Sequence, residues 1–330
     1  MELTYAAFAG VLGAVLFMAS SRGHARQSRS LNTTKSLTGK VILITGGTTG
    51  LGKKAAIELA RLKPAQLWLT GRDATRLEDA AADIRKQVDD APPIHLSTLD
   101  LASFKSIRNA AEAFLSQCQR LDVLMLNAGV MSLPAGMTQD GYEIQFGTNH
   151  VGHALLTKLL EPALLAAKGD GPRVVVLSSS AHRDVPQGGI KWDSLKTSGT
   201  DVFILKRYGQ SKLANALYAR ELAKRRPWLR VAAVHPGVVR GTDMQASATG
   251  IPFVLRYLIA FIRHWITISL EDGVKNQVWA SIDDQYPSGK YFEPVGKPGL
   301  ASKYATDDTL AEKLWEWTER ELEAQEPCKD

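Results

Sequence analysis

Cysteine is nearly absent from this 330-residue chain: Cys118 and Cys328 are the only two, no CxxC pair exists, and the second lies in a polar tail. That excludes a disulfide framework and a thiolate zinc site, and it suits a domain facing a reducing compartment. Charge of one sign is scarce too. The formal net charge is +6, but residues 1–40 carry five basic residues against Glu2, leaving only +2 for the remainder. Nucleic-acid binding by the folded part has little charge behind it. Residues 40–330 lack internal repeats and low-complexity linkers, so they read as one domain, with residues 1–39 apart from it.

What is present begins with MELTYAAFAGVLGAVLFMAS, apolar from about Tyr5 to Ala19 and followed by the basic SRGHARQSRS. A spanning helix needs roughly 17–25 residues, and Leu3 and Thr4 extend the run toward that length. A cleaved signal peptide carries positive charge before its apolar run, whereas here the charge follows it. The asymmetry favours a membrane anchor with the folded domain on the cytosolic side, most simply at the endoplasmic reticulum. A surface or mitochondrial targeting helix is the competing reading. Asn32-Thr33-Thr34 is a glycosylation sequon that would be silent on the cytosolic side.

From Lys40 onward, short β-branched runs alternate with helical stretches: VILIT at 41–45, QLWLT at 66–70, IHLSTL at 94–99, DVLML at 122–126, RVVVLS at 173–178 and RVAAV at 230–234. Such alternation implies right-handed βαβ crossovers, hence an α/β fold with a doubly wound parallel sheet of about seven strands and helices on both faces. Residues 249–270 are strongly apolar, interrupted by Arg256, Arg263 and His264. Those internal charges favour a lid or membrane-apposed helix over a second span, and 241–270 is read as a substrate lid. TLAEKLWEWTERELEAQ reads as a surface helix with an apolar stripe through Leu310, Leu314 and Trp317.

Directly after the first strand, TGGTTGLG opens a helical segment. A Gly-rich turn there lets backbone N–H groups and a helix dipole meet a pyrophosphate at close range. Its glycines, Gly46, Gly50 and Gly52, fall as G-x-x-x-G-x-G, not as the commoner G-x-G-x-x-G. Arg72 in LTGRD lies about 20 residues on, where an acidic residue would select the ribose hydroxyls of NAD. A guanidinium suits the 2′-phosphate of NADP instead, which puts NADP(H) ahead of NAD(H). The plainer reading of Arg72 is a solvated side chain at the mouth of a helix capped by Asp73 or Thr75.

Two tyrosine–lysine pairs share one spacing. YGQSK, Tyr208 to Lys212, sits in a helical run that puts both side chains on one face. YPSGK, Tyr286 to Lys290, contains Pro287 and Gly289 and reads as a turn before a seventh strand.

Taken in order, the glycine turn, NAG at Asn127 to Gly129, serines ending the fifth strand and YGQSK resemble the short-chain dehydrogenase/reductase family, with its Rossmann fold. The resemblance runs from about Lys40 to Phe292. FGTNHVGHALLT, RVVVLSSSAH, HPGVVR and SGKYF look like its retinol-dehydrogenase-like branch and the fungal and WW-domain oxidoreductase relatives. The family implies Tyr208 as general acid/base and Lys212 as the nearby cation that lowers the phenol's pKa and holds the nicotinamide ribose. It implies Ser179 as the substrate-orienting hydroxyl, with Ser178 and Ser180 as alternatives one register away, and Asn149 as holder of a relay water. It further implies Gly46, Gly50, Leu51, Gly52, Asp100, Asn127 and Gly129 around the cofactor, with Pro236, Gly237 and Val239 on the carboxamide side. In isolation Asp100 and Asn127 would read as cap or turn residues. The loop departs from the family pattern where Gly241 replaces a Thr or Ser, leaving Thr242 one position late for a phosphate contact. His150 and His153, spaced i, i+3, have no evident third ligand and read as packing, so no metal is expected.

The connector between Ser179 and Tyr208 shows no obvious regular element, and with 241–270 it should wall a substrate site. Trp192, Phe203, Phe253, Tyr257 and Phe261 would make that wall apolar, although core or membrane contact competes for each. The resulting expectation is a membrane-tethered, NADP(H)-dependent carbonyl reductase or alcohol dehydrogenase acting on a small lipophilic substrate, with association into homo-oligomers left open. An epimerase of the wider superfamily and a non-catalytic cofactor-binding scaffold are the alternatives. The former usually has G-x-x-G-x-x-G, and the latter would not need Asn149, Ser179, Tyr208 and Lys212 together.

Overall fold

Strand β1, Val41–Thr45, is buried at all five positions, and its side chains divide by parity between two cores. Val41 and Leu43 enter one apolar cluster, Ile42 and Ile44 the other. Such a strand must lie between two helical layers, and the rest of the chain supplies them. The computed structural model describes residues 35–239, 267–293 and 295–325. The proposed N-terminal anchor, Thr242, most of the 241–270 lid, Phe253, Tyr257, Phe261 and Cys328 lie outside the described residues.

The elements alternate as α1 (Gly50–Ala60), β2 (Gln66–Gly71), α2 (Ala74–Gln87), β3 (Ile94–Thr98), α3 (Phe104–Gln117), β4 (Val123–Leu126), α4 (Gly152–Ala166), β5 (Arg173–Leu177), α5 (Ile204–Arg225), β6 (Arg230–Val234), α6 (Leu270–Ile282), β7 (Lys290–Phe292) and α7 (Asp308–Glu323). The seven strands form one parallel sheet in the order β3-β2-β1-β4-β5-β6-β7. Helices α1, α2 and α6 bury Ile57, Leu77 and Val278 against one face. Helices α3, α4 and α5 bury Ile107, Leu155 and Leu217 against the other. This is the doubly wound Rossmann arrangement. The strand order reverses between β1 and β4, which opens a crevice at their carboxyl ends.

Two expectations change. The C-terminal helix is not a plain surface helix: its inner face is Ala311, Leu314, Trp315, Thr318 and Leu322, one position off the Leu310/Leu314/Trp317 stripe. It packs on α5 through stacked Tyr218 and Trp315 rings with centroids 5.3 Å apart. Trp192 takes up the competing packing role, leaning on Trp317 at 6.3 Å between ring centroids with the Lys313 ammonium 4.7 Å above it. The connector also holds two short 3₁₀ turns, Ser180–Arg183 and Trp192–Ser194.

Candidate active site

The turn after β1 is shaped by what a side chain would meet. Gly46 and Gly50 have φ of 67° and 53°, the left-handed region that favours glycine. A methyl on Gly52 would collide with the Gly46 carbonyl oxygen, so the first turn of α1 packs on the loop itself. Asn127 at the end of β4 donates from Nδ2 to the carbonyls of Thr45 (2.8 Å) and Gly46 (3.3 Å), locking the two central strand ends together. Helices α2, α3, α6 and α7 each have a side-chain N-cap, whereas Thr49 makes no capping hydrogen bond to α1. The first N–H groups of α1, at the end of the glycine turn and without a side-chain cap, are suited to meet an anion.

The residues around this turn have separate supports. The Leu51 carbonyl accepts from Gln277 Nε2 at 3.1 Å, tying α1 to α6. A methyl on Gly71 would stand 2.7 Å from Thr48 Cγ2, so β2 ends against the turn and leaves Arg72 exposed beside it. Asp73, not Arg72, serves α2, accepting from Arg76 N. Asp100 is half-buried and accepts from Ala102 N at 3.0 Å, a turn role that occupies one carboxylate oxygen.

The second cluster is assembled by α4, β5 and α5. Asn149 lies in a π-helical stretch, Gly147–Val151, that widens the entry to α4. Its amide accepts from Val130 N at 2.7 Å and donates to Val130 O and Ser211 Oγ, each at 2.9 Å. Ser211 Oγ in turn donates to Tyr208 O at 2.8 Å. The Lys212 ammonium donates to Leu177 O at 3.0 Å and lies 5.8 Å from the centre of the Tyr208 ring. Gly129 closes the group: a methyl there would stand 3.0 Å from Asn149 Oδ1 and 3.4 Å from Lys212 Nζ.

Of the three serines after β5, Ser178 is spent on the Lys212 carbonyl at 2.7 Å. Ser180 is buried, while half-buried Ser179 hydrogen-bonds the Tyr208 phenol. The glycine of YGQSK also has a reason. A methyl on Gly209 would collide with the Asp184 carbonyl and stand 2.8 Å from that of Ala181, so α5 rests directly on the turn that follows Ser179. YPSGK behaves differently. Gly289 has φ 78°, Tyr286 donates its hydroxyl to Ala280 O at 3.0 Å, and Lys290 is exposed.

Burial sets the charges. It pushes the Tyr208 phenol up to about 12, against the opposing effect of the Ser179 hydrogen bond, and pulls Lys212 down to about 8. Desolvation thus dominates at the phenol, and the effect that opposes it comes from Ser179 rather than from the expected Lys212. His150 and His153 are buried neutral imidazoles, each lowered to about 3 by burial. His150 meets Thr318 at 2.9 Å, and His153 bridges Thr45 Oγ1 (2.9 Å) and Asn149 O (3.0 Å). Among the described residues no group of three His, Cys, Asp or Glu could hold a metal ion.

Gly237, with φ 85°, turns the segment after Pro236 against Ile268, and Val239 pairs with Ile268 in a parallel bridge. Gly273 is pressed on Val239, Leu51 and Pro236, which brings this loop to the glycine turn. The sequence reading passed over Ser211, Gly209 and His182. Ser211 and Gly209 sit inside the quoted YGQSK, yet a linear motif does not reveal a neighbour's carbonyl.

The chain matches the short chain dehydrogenase family over residues 40–250. It belongs to that family. Its relatives place it in the retinol-dehydrogenase-like branch. Mouse retinol dehydrogenase 12 is 39% identical over 282 residues, 84% of each chain. Human retinol dehydrogenase 14 is 34% identical over 338 residues, 96% of this chain and 97% of the relative. A crystal structure of a Mycobacterium paratuberculosis protein superposes with a TM-score of 0.66 at 31% identity, covering 88% of this chain and 95% of that one. This short-chain dehydrogenase is thus an oxidoreductase of a family that works with a nicotinamide cofactor. The glycine cradle, the uncapped start of α1 and the Gly129 gap fit such a cofactor. No described helix is long and apolar enough to cross a membrane.

Proposed function

We propose that the protein is an NADP(H)-dependent carbonyl reductase or alcohol dehydrogenase for a lipophilic substrate, working chiefly as a reductase. The observation that carries this reading is the convergence of Ser179, Tyr208, Lys212 and Asn149 at the carboxyl ends of β4 and β5, beside the glycine turn. The hydride exchanged with the substrate carbon is supplied or accepted by the nicotinamide when it is bound.

Ser179 offers its hydroxyl to the carbonyl oxygen, and Tyr208 gives that oxygen a proton. A phenol held near 12 is protonated at neutral pH, the form that gives a proton to the substrate oxygen in reduction. Lys212, held between β5 and α5, places a positive charge beside the phenolate left behind. Asn149, whose Oδ1 borders the same gap at Gly129 as Lys212 Nζ, would hold the water that links Lys212 to solvent and replenishes the proton.

Exposed Arg72, without an ion pair to any described residue, supports NADP(H) over NAD(H) through the 2′-phosphate. Lipophilic substrates are supported by Phe203, just before α5, and Met137, in the connection between β4 and α4, large apolar side chains 57% and 45% exposed, and by relatives named for retinol, a lipophilic alcohol. The apolar run from Tyr5 to Ala19 would tether one catalytic domain, residues 40–330, to the cytosolic face of the endoplasmic reticulum.

The test is oxidation of NADPH and NADH by the full-length protein with a panel of lipophilic aldehydes and ketones, retinal among them. Turnover that prefers NADPH and vanishes in Tyr208→Phe is expected. Turnover that survives Tyr208→Phe would overturn the assignment.

A further inference from the structure

We propose that His182 is a positioning residue for Ser179, a neutral imidazole that ties the carbonyl of Ser179 to the loop after β7 and so aims the Ser179 hydroxyl at Tyr208. The inference rests on the reading of Ser179 and Tyr208 given above.

The tautomer follows from the partners. His182 Nε2 lies 2.9 Å from the backbone N of Ser302, and an amide N–H can only donate, so Nε2 must be the unprotonated acceptor. The ring proton is then on Nδ1, which points at the carbonyl oxygen of Ser179 at 2.6 Å. That oxygen also receives the backbone N–H of His182 at 3.0 Å. Ser179 is extended, with φ −155° and ψ 155°, and its hydroxyl accepts from Ala181 N at 3.2 Å. Its peptide and its side chain are therefore both held by the turn that His182 ends.

The imidazole is completely buried and cannot exchange either partner for solvent. Tyr291 packs on it with ring centroids 4.6 Å apart, and Arg183, Glu293 and His235 are the charged or titratable groups facing it. Burial lowers its pKa to about 4, consistent with an acceptor Nε2 that stays unprotonated at neutral pH. Arg183 reinforces the same join, donating from Nε to Leu300 O at 3.0 Å, so two consecutive side chains fasten the turn to the 300-loop. On the opposite side the turn meets α5 at Gly209, next to Tyr208. A serine placed between these supports cannot drift without loosening its hydrogen bond to the phenol.

The test reads that hydrogen bond directly. Full-length protein labelled with [13Cζ]tyrosine gives a Tyr208 resonance, identified by its loss in Tyr208→Phe, whose position responds to hydrogen bonding at the phenol oxygen. His182→Leu should move the resonance in the direction and to the extent seen in Ser179→Ala, and the double variant should move it no further. His182→Asn, whose amide N–H lies near the position of Nδ1, should leave it at the wild-type position, whereas His182→Gln should not. A resonance unmoved by His182→Leu, or an Asn variant no better than Leu, overturns the proposal even where the melting temperature falls. If Ser179→Ala itself leaves the resonance in place, the contact between Ser179 and Tyr208 fails, and with it the reading of the site.

Discussion

Gly209, the residue after Tyr208, has no room for a methyl because the carbonyl of Asp184 occupies the position a Cβ would take. On an isolated helix, alanine in place of glycine would stabilise by about 1 kcal/mol. Here the clash is with main chain at both Asp184 and Ala181, which cannot rotate away. Overpacking of this kind costs about 1–3 kcal/mol, so the clash wins. Gly209→Ala should lower the melting temperature and cut turnover at least about tenfold by separating Tyr208 from Ser179. An alanine variant with wild-type activity would show that α5 and the turn are free to part.

The pH dependence follows from the two buried groups at the centre of the site. Lys212, lowered to about 8, is an ammonium below that pH and neutral above it. Tyr208, raised to about 12, stays protonated throughout the range between. His153 and His235, which face Lys212, are lowered to about 3 and about 4 and do not titrate near neutrality. For the reductive reaction, kcat/KM should be level on the acid side and fall about tenfold per pH unit above roughly 8. Lys212→Arg should remove that alkaline limb from any activity that remains. A profile that rises through pH 8 would exclude the ammonium as the active form.

The central strands were legible because they are buried on both faces, so VILIT and RVVVL stand out as apolar runs, whereas β3 at the sheet edge is only half-buried. The cluster of Asn149, Ser179, Tyr208 and Lys212 was legible through short motifs whose members lie near one another in sequence order. What stayed hidden are contacts between distant polar groups. Nothing in TLAEKLWEWTERELEAQ announces that Thr318 meets His150, or that Trp315 stacks on Tyr218. His182 reads as one more residue of a loop until Ser302, 120 positions away, supplies the N–H that fixes its tautomer. The contact of Trp192 was hidden for the same reason, since an apolar ring in a connector can face the mouth or turn to a helix, and here it meets Trp317 of α7.

Cofactor choice is tested at Arg72. The side chain is exposed at the end of β2 beside the glycine turn, with no carboxylate in the next position inward, which is Gly71. A charge-assisted contact to a 2′-phosphate is worth about 1.5–3 kcal/mol. Arg72→Glu should therefore raise the Kd for NADPH by roughly ten- to a hundredfold while leaving or improving that for NADH, as read by fluorescence titration. Equal loss for both cofactors would assign Arg72 to the fold instead.

The entry to the site is held by a buried ion pair. Arg207, immediately before Tyr208, donates to Glu143 Oε1 at 2.8 Å, and the two side chains are 4% and 0% exposed. Glu143 Oε2 caps the helical turn that leads to Asn149, accepting from Gln145 N and Phe146 N at 3.1 and 2.7 Å. Arg207 also donates to Leu133 O at 3.0 Å, and Gly199 lies too close to both side chains to carry a methyl. Removing one partner leaves an uncompensated buried charge, which costs about 3–5 kcal/mol. Arg207→Met should destabilise by that amount in urea denaturation, and adding Glu143→Gln should recover part of it, because the amide needs no counter-charge and its oxygen can still cap the turn. If the double variant is no more stable than Arg207→Met, the loss comes from packing at Gly199 and Leu133 rather than from the stranded carboxylate.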